Sequence, residues 1–410
     1  MKQHKERYSL LCEHLTRRGI DVHAVKDRLK AQVIELPSWA VGNSGTRYGT
    51  FADKGAAVTV WDRIDDCAEI QRCLGITPRM ATHVCWDKTD DGNYIPVKQY
   101  AEEKGLQLGT LHPNTFSGQE FRFGSMCSPL EAVREQTKAH FEDCVRICRE
   151  LNCKTIGMWV ADGTNYPGQD HLRKRKHRLY EGLKHLYDTM DEDMTLLLEY
   201  KPFEPFFYTT DVSDWGISHL MCTKLGERAK VLVDLGHHLP GVNVEHIIAT
   251  LLDEGRLGGF HFNNHKYADD DLILGTVNPM EIYMIYKEIV DAETEGIPTA
   301  ITYMLDQSHN IENSIEGIIY SVMNIQTAYA KALIIDRAAL KESQAANDTI
   351  MSSKILMEAF ETDVQPLIEQ VRIELGLSCT NPLLNYRRGG HQAHIEATRG
   401  AGALTLGGGC

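Results

Sequence analysis

Between Leu196 and Asp306 the chain reads LLLEYK, VLVDLGHH, GFHFNNHKYADDD and ITYMLD, four short apolar runs each closed by a carboxylate or an imidazole. If these runs are parallel strands, Glu199, Asp234, His237, His261, Asp269, Asp271 and Asp306 gather at one rim of a sheet. Five of the seven are carboxylates, and like charges a few ångströms apart repel and raise one another's pKa. A pair of divalent cations resolves that conflict. Hard oxygen donors with two imidazoles suit Mn²⁺, Mg²⁺ or Co²⁺ better than a thiolate-preferring ion, and no cysteine falls in the set, which weakens a structural zinc reading. Taken singly, each residue has a plainer explanation, an N-cap for the Asp or a hydrogen-bonded strand-end His. What favours ions is that four successive runs end in ligand types. Asp270 is left out, because alternate residues of an extended loop share a side. His238 and His265 are read as bystanders.

Those residues need a frame. Apolar spacing of three and four predicts two short helices over 8–30 and an amphipathic segment over 62–74. Apolar runs predict strands at 31–39, 81–86, 106–113, 153–160, 194–201, 230–236, 257–263 and 299–305. Helical patterns near 97–104 and over 128–151, 171–188, 214–226, 243–255, 278–294 and 311–333 alternate with them. The strands lack polar alternation, as parallel strands buried on both faces do. Eight strand–helix units are the count of a (β/α)8 TIM barrel, whose functional side chains lie at the C-terminal strand ends. Residues 1–335 are thus assigned to an α/β barrel with N-terminal helices, and 336–410 to additional C-terminal helices (336–346 and 350–375) with a Gly-rich tail of little packing capacity.

Composition narrows the partners. A formal charge of −14 over 410 residues argues against nucleic acid, whose phosphates need a basic face. The basic run Arg173 to Arg178 is read as a solvated helix face. Eleven cysteines are odd in number, irregular in spacing and without a CxxC pair, and Cys85, Cys144, Cys148 and Cys222 sit in apolar patterns as small hydrophobes. With no signal-like N-terminus and no run of about 18 apolar residues, the expectation is a cytoplasmic protein of a reducing compartment, without a membrane partner. GxGxxG, Walker A and GxSxG patterns are missing, so nucleotide cofactors and serine hydrolysis lose support.

The motifs also resemble a known family. Glu199 and Lys201 in ExK, Asp234 and His237 in DLGHH, and the Asp269–Asp271 DxD resemble the metal motifs of the xylose isomerase-like barrels. SWAVGNSGTRYGTF (38–51), WDK (86–88), GMWVADGTNYPGQD (157–170), EYKPFEP (199–205) and GFHFN (259–263) are most similar to L-rhamnose isomerases of the broad-specificity bacterial kind. The resemblance implies an aldose–ketose isomerase with two divalent ions, manganese first. Glu199, Asp234, His261 and Asp306 would hold the structural ion, and Asp234 would bridge to a catalytic ion held by His237, Asp269 and Asp271. His83 would assist ring opening, Lys201 would bond near O1, and Asp306 counts among the catalytic residues. Trp39, Phe116 and Trp159 would wall the sugar. A homotetramer is implied, with Tyr48 or Phe51 reaching a neighbour's substrate; Tyr48 stands where the family pattern has Phe.

Three rival readings differ in what they require. A ketose 3-epimerase of the same barrel type needs two carboxylates on opposite faces of the substrate and one ion, and has no use for the ExK lysine. A metal-dependent endonuclease wants a basic groove. A non-catalytic sugar-binding protein is usually exported and bilobal.

Overall fold

Eight apolar runs pair in parallel and close on themselves. The strands of this computed structural model are β1 (Glu35–Pro37), β2 (Arg79–His83), β3 (Gln107–His112) and β4 (Thr155–Trp159), then β5 (Thr195–Glu199), β6 (Ala229–Asp234), β7 (Leu257–Phe262) and β8 (Thr302–Leu305). The structure describes residues 2–399, apart from 44, 47 and 48. Each strand pairs with its sequence neighbours and β1 closes on β8, a closed eight-stranded barrel. Helices α1 (Lys2–Arg17) and α2 (Val22–Lys30) precede it. Helices α3 (Val60–Leu74), α4 (Ile95–Glu103), α5 (Glu131–Leu151), α6 (Leu172–Thr189), α7 (Trp215–Leu225), α8 (Val244–Asp253), α9 (Pro279–Thr294) and α10 (Ser314–Leu333) follow the successive strands. This is a (β/α)8 barrel, as the alternation of patterns predicts.

Register carries the chemistry to one rim. Trp159 pairs with Glu199, Asp234 with His261 and His83 with His112, so the last residues of neighbouring strands end level. Side-chain caps start the helices that lead away: Asn243 for α8, Asn278 for α9 and Asn313 for α10. A Thr59–Asp62 capping box starts α3.

The structure corrects several expectations. The first strand is only three residues, because Pro37 has no N–H to give a ladder and Ser38–Val41 turns into a 3₁₀ helix. The single helix expected over 350–375 is two, α12 (Thr349–Glu361) and α13 (Gln365–Glu374), after α11 (Arg337–Ala345). Pro366 explains the break: in mid-helix its ring would meet the carbonyl four residues back, whereas in the first turn it is tolerated. The tail read as having little packing capacity contains α14 (Pro382–Gly389) and α15 (His391–Thr398), whose Tyr386 and Ile395 are buried in the same apolar core as the barrel helices. The basic run is not uniformly solvated. Arg175 is fully buried and pairs with Asp170 and Asp211.

Seven cysteines, Cys144, Cys148 and Cys222 among them, are buried free thiols; Cys85 departs from that reading and is disulfide-bonded. Among the described residues no single helix is long and apolar enough to cross a membrane.

The C-terminal segment is tied down by charge. Asp66 on α3 is 1% exposed and takes Arg399 Nη1 at 2.6 Å, Arg399 Nη2 at 3.0 Å and His391 Nε2 at 2.8 Å. Arg399 also donates to the carbonyls of Gly55 and Asp62. Arg399→Ala would leave a buried carboxylate with one weak partner, so a loss of about 3 kcal/mol is expected in denaturant unfolding. Arg399→Lys, which keeps the charge but loses the fork, should fall between.

Candidate metal centre

Two groups of potential ligand atoms meet at the C-terminal rim of the barrel: Glu199, Asp234, His261 and Asp306 in one, and Asp234, His237 and Asp269 in the other. Asp234 belongs to both, which makes its surroundings decisive. It is 1% exposed at the end of β6. Its Oδ1 accepts from Gly236 N–H at 2.7 Å and from Asn263 Nδ2 at 2.9 Å, while Oδ2 has no hydrogen-bond partner among the described residues.

The imidazoles are oriented by their second nitrogens. His237 Nδ1 lies 2.9 Å from the Tyr200 carbonyl, which only accepts, so Nδ1 carries the proton. Its Nε2 therefore offers a lone pair to Asp269 Oδ1 at 3.2 Å, and that oxygen is likewise buried and unpartnered. Two acceptors facing each other need a proton or a cation between them. Burial would lower the His237 pKa, but Asp234, Asp269 and Glu199 lift it to about 9. His261 places Nδ1 at 3.2 Å from Glu199 Oε1, 3.4 Å from Asp306 Oδ2 and 3.8 Å from Asp234 Oδ2, and the Glu199 and Asp306 carboxylates raise its pKa well above the usual value against burial. Burial and the neighbouring acids push the Asp234 carboxyl up to about 7, opposed by His237. These donors fit divalent cations: the unmet lone pairs, the donor types and the excess of buried acid all call for positive charge.

Asp271 is less closely drawn in. It lines the cavity above the acids, but lies outside both tight groups, and its Oδ2 accepts from Ser308 Oγ at 3.1 Å. The loop is not the extended chain assumed from sequence. Asp271 has a left-handed φ of 49°, and Asp270 Oδ2 accepts from Lys266 N–H and Tyr267 N–H, closing a turn. Asp270 is thus a loop cap, and His238, hydrogen-bonded to the Tyr200 hydroxyl at 2.7 Å, is structural as expected.

Over the acids opens a cleft of about 220 Å³. Trp39, Phe116 and Trp159 wall it, with Trp86 stacked on His83 at 4.1 Å. Trp39 Nε1 donates to Asp306 Oδ1 at 2.9 Å, joining wall to floor. His83 Nδ1 accepts from Cys85 N–H at 3.3 Å, which leaves the proton on Nε2 of the neutral ring; burial lowers its pKa well below the usual value. Lys201 Nζ sits 2.6 Å from both Asp269 Oδ2 and Glu204 Oε2 and 5.2 Å over the Trp159 ring. Phe51 is exposed at 58%, and Tyr48 lies outside the described residues.

Trp86, His112, Glu204 and Asn263 complete the surroundings without having been assigned a role from sequence. Trp86 and His112 carried the same strand-end signal as His83; Glu204 and Asn263 fell within EYKPFEP and GFHFN without a role of their own. His112 reaches the floor because β4 has Gly157 there: a Cβ on Gly157 would fall 2.5 Å from His112 Nε2. Cys127, Asp162 and Asp211 form another close group, but not a metal site. Asp162 is saturated by Ser125 and by Cys127 N–H, and Arg175 neutralises Asp211.

Fold and rim define a barrel of known type: the chain belongs to the xylose isomerase-like TIM barrel family, whose profile matches residues 66–289. Its relatives narrow this further. The chain is 41% identical over 402 residues to a protein of Rhizobium meliloti named "Probable sugar isomerase", covering 96% of this chain and 92% of that one. A protein of the same name from Mesorhizobium japonicum is 39% identical over the same shares. Among solved structures, an L-ribulose 3-epimerase (13% identity, TM-score 0.55) overlaps 73% of this chain and 97% of its own, which shows a shared fold. A D-allulose 3-epimerase from Methylomonas sp. with D-allulose (12% identity, TM-score 0.54) overlaps 73% and 98%.

Proposed function

We propose that this protein is an aldose–ketose isomerase that uses two divalent ions, manganese first with cobalt or magnesium as alternatives. The observation that carries the proposal is the pair of ligand groups sharing Asp234 at the floor of an aromatic cleft. Glu199, Asp234, His261 and Asp306 would hold one ion; Asp234, His237 and Asp269, with Asp271 above, would hold the other. Bound there, the ions supply Lewis-acid stabilisation of charge that builds on two adjacent sugar oxygens. The motifs shared with broad-specificity L-rhamnose isomerases favour L-rhamnose and L-rhamnulose as the pair, with D-allose and D-psicose as further substrates. The names of the two sugar isomerase relatives agree with the reaction class.

The chain's own groups account for the rest. Isomerisation moves hydrogen from C2 to C1 and a proton from the C2 hydroxyl to the C1 oxygen. The ring must open first: the C1–O5 bond breaks as the O1 hydroxyl gives up its proton and the ring oxygen gains one, and His83, neutral with its proton on Nε2, would assist that transfer by hydrogen-bonding the ring oxygen. Lys201 contributes a fixed positive charge beside O1. Trp39, Phe116 and Trp159 exclude water and strengthen both effects. In the homotetramer implied by the motifs, Tyr48 or Phe51 of a neighbouring subunit would touch the sugar's far end.

His83→Asn should cut the rate on a cyclic aldose by about 10²-fold, yet leave glyceraldehyde, too short to close a ring, nearly unaffected. Equal losses on both would remove the ring-opening role. The reading as a whole is tested by incubating EDTA-stripped protein with a panel of aldoses and ketoses, with and without Mn²⁺, and separating the products by chromatography. Aldose–ketose pairs that form only with metal are expected. Ketose-to-ketose conversion alone would favour a 3-epimerase, and no conversion would end the proposal.

A further inference from the structure

Asn263 follows β7 directly and is completely buried. It has no charge and is not among the candidate ligands, yet it touches the carboxylate common to both groups. Its Nδ2 donates to Asp234 Oδ1 at 2.9 Å, and Gly236 N–H donates to the same oxygen at 2.7 Å. Two donors occupy the lone pairs of Oδ1. The other oxygen, Oδ2, is the one that is buried, unpartnered and 3.8 Å from His261 Nδ1.

Asn263 Oδ1 has no donor among the described residues, although it is buried. A leucine of similar shape would fill the site without an unmet acceptor, and an unmet buried acceptor costs stability. Packing alone therefore does not explain the amide. The approach is close: a Cβ on Gly236 would lie 3.0 Å from Asn263 Oδ1, 3.2 Å from Asp269 Oδ1 and 3.3 Å from Asp234 Oδ1. The absence of a side chain at 236 is what lets the amide and both acids crowd together.

We infer that Asn263 is a positioning residue that locks Asp234 so that its single free oxygen, Oδ2, serves both ion positions. The inference rests on the two-ion reading above. The two positions do not depend on it equally. One has three further donors, Glu199, His261 and Asp306, whereas the other has, among the described residues, only His237 and Asp269 in close reach. A loosened Asp234 thus weakens the second ion first.

The test is Mn²⁺ binding to the EDTA-stripped full chain, followed by EPR titration and by metal content after gel filtration. Wild type should take up two ions. Asn263→Leu, which keeps the shape, and Asn263→Ala should hold the first with unchanged affinity and the second about 10–100-fold more weakly, the usual effect of removing a group hydrogen-bonded to a ligand. Thermal melts of the stripped variants establish that each is folded at the titration temperature, so that a weakened second ion with the first held normally reports on Asp234 and not on unfolding. Two ions bound at wild-type affinities by both variants would overturn the inference. So would a lowered melting temperature with binding unchanged. A wild-type chain that binds only one ion would overturn the two-ion reading itself.

Discussion

Asp234→Asn should remove turnover and metal content together. Asp234 is the only residue common to both ligand groups, so replacing its charged Oδ2 with an amide nitrogen harms both ion positions at once. The substitution is close to isosteric, and Oδ1 can still accept from Gly236 and Asn263. Charge stabilisation worth several kcal/mol would go with the ions, and at about 1.4 kcal/mol per decade the rate should fall by about 10³-fold or more. A fully active variant with its metal retained would refute the shared role. Stability should move the other way. In the protein without ions, the Asp234 carboxyl is pushed up to about 7 from 3.8 by burial and by the nearby acids, against the pull of His237. Between those values the unfolded chain gives up a proton that the folded chain keeps, so this group destabilises the fold progressively as pH rises through the window. His237, raised from 6.5 to about 9, adds stability that is complete below 6.5 and lost as pH rises through 9. Stripped wild type should therefore melt lower at pH 8 than at pH 6. Asn at 234 removes the first of these contributions and should flatten the slope, as thermal melts in EDTA across that range would show. Function is thus held here at a cost to the fold, a conflict that bound cations relieve.

That conflict is also why so much of the site could be read without coordinates. Acids and imidazoles at the ends of β5 to β8 are costly to bury, and such a cost repeated on four successive strands points to one cause. The barrel was legible for a related reason: strands buried on both faces leave continuous apolar runs, and amphipathic helices leave a spacing of three and four. Legibility failed where structure depends on few residues or on distant partners. Helices α14 and α15 escape notice because Gly389 and Gly390 interrupt the pattern and few apolar residues, Tyr386 and Ile395 chief among them, anchor them; ion pairs such as Arg387–Glu316 and Arg399–Asp66 add to this across more than 70 positions of sequence. Arg175 looked like part of a solvated run because its partners Asp170 and Asp211 come from loops. Asp271 joins Asp269 at the cavity while Asp270 stays out of it, as the alternation predicts, but through a left-handed turn and not the extended chain assumed. Asn263 and Glu204 act by contacting ligands and a cation rather than by being unusual themselves, so the GFHFN and EYKPFEP stretches that contain them assign them no role of their own.

Lys201→Met should separate charge from metal. The lysine is 7% exposed, held between Asp269 and Glu204 and backed by the Trp159 ring. Burial alone would ease its proton off, but Asp269 and Glu204 outweigh burial and raise its pKa above the usual value. It therefore stays a cation at every working pH, and an alkaline limb in the activity profile would have to come from another group. Methionine keeps the length and apolar stem while removing the charge, so kcat should drop by about 10²–10³-fold, the range seen when a preorganised charge or donor is lost from an active site. Metal binding should not drop with it. Asp269 Oδ1, the oxygen facing His237 Nε2, is not the one Lys201 holds, and removing a cation 2.6 Å from Asp269 Oδ2 makes the site more attractive to Mn²⁺. Turnover lost with Mn²⁺ bound as tightly as before, or more tightly, would assign Lys201 to the reaction itself. Loss of metal in parallel with kcat would instead make it a prop for Asp269. Set beside Asp234→Asn, where activity and metal should vanish together, the lysine variant distinguishes the charge that binds the ions from the charge that acts on the sugar.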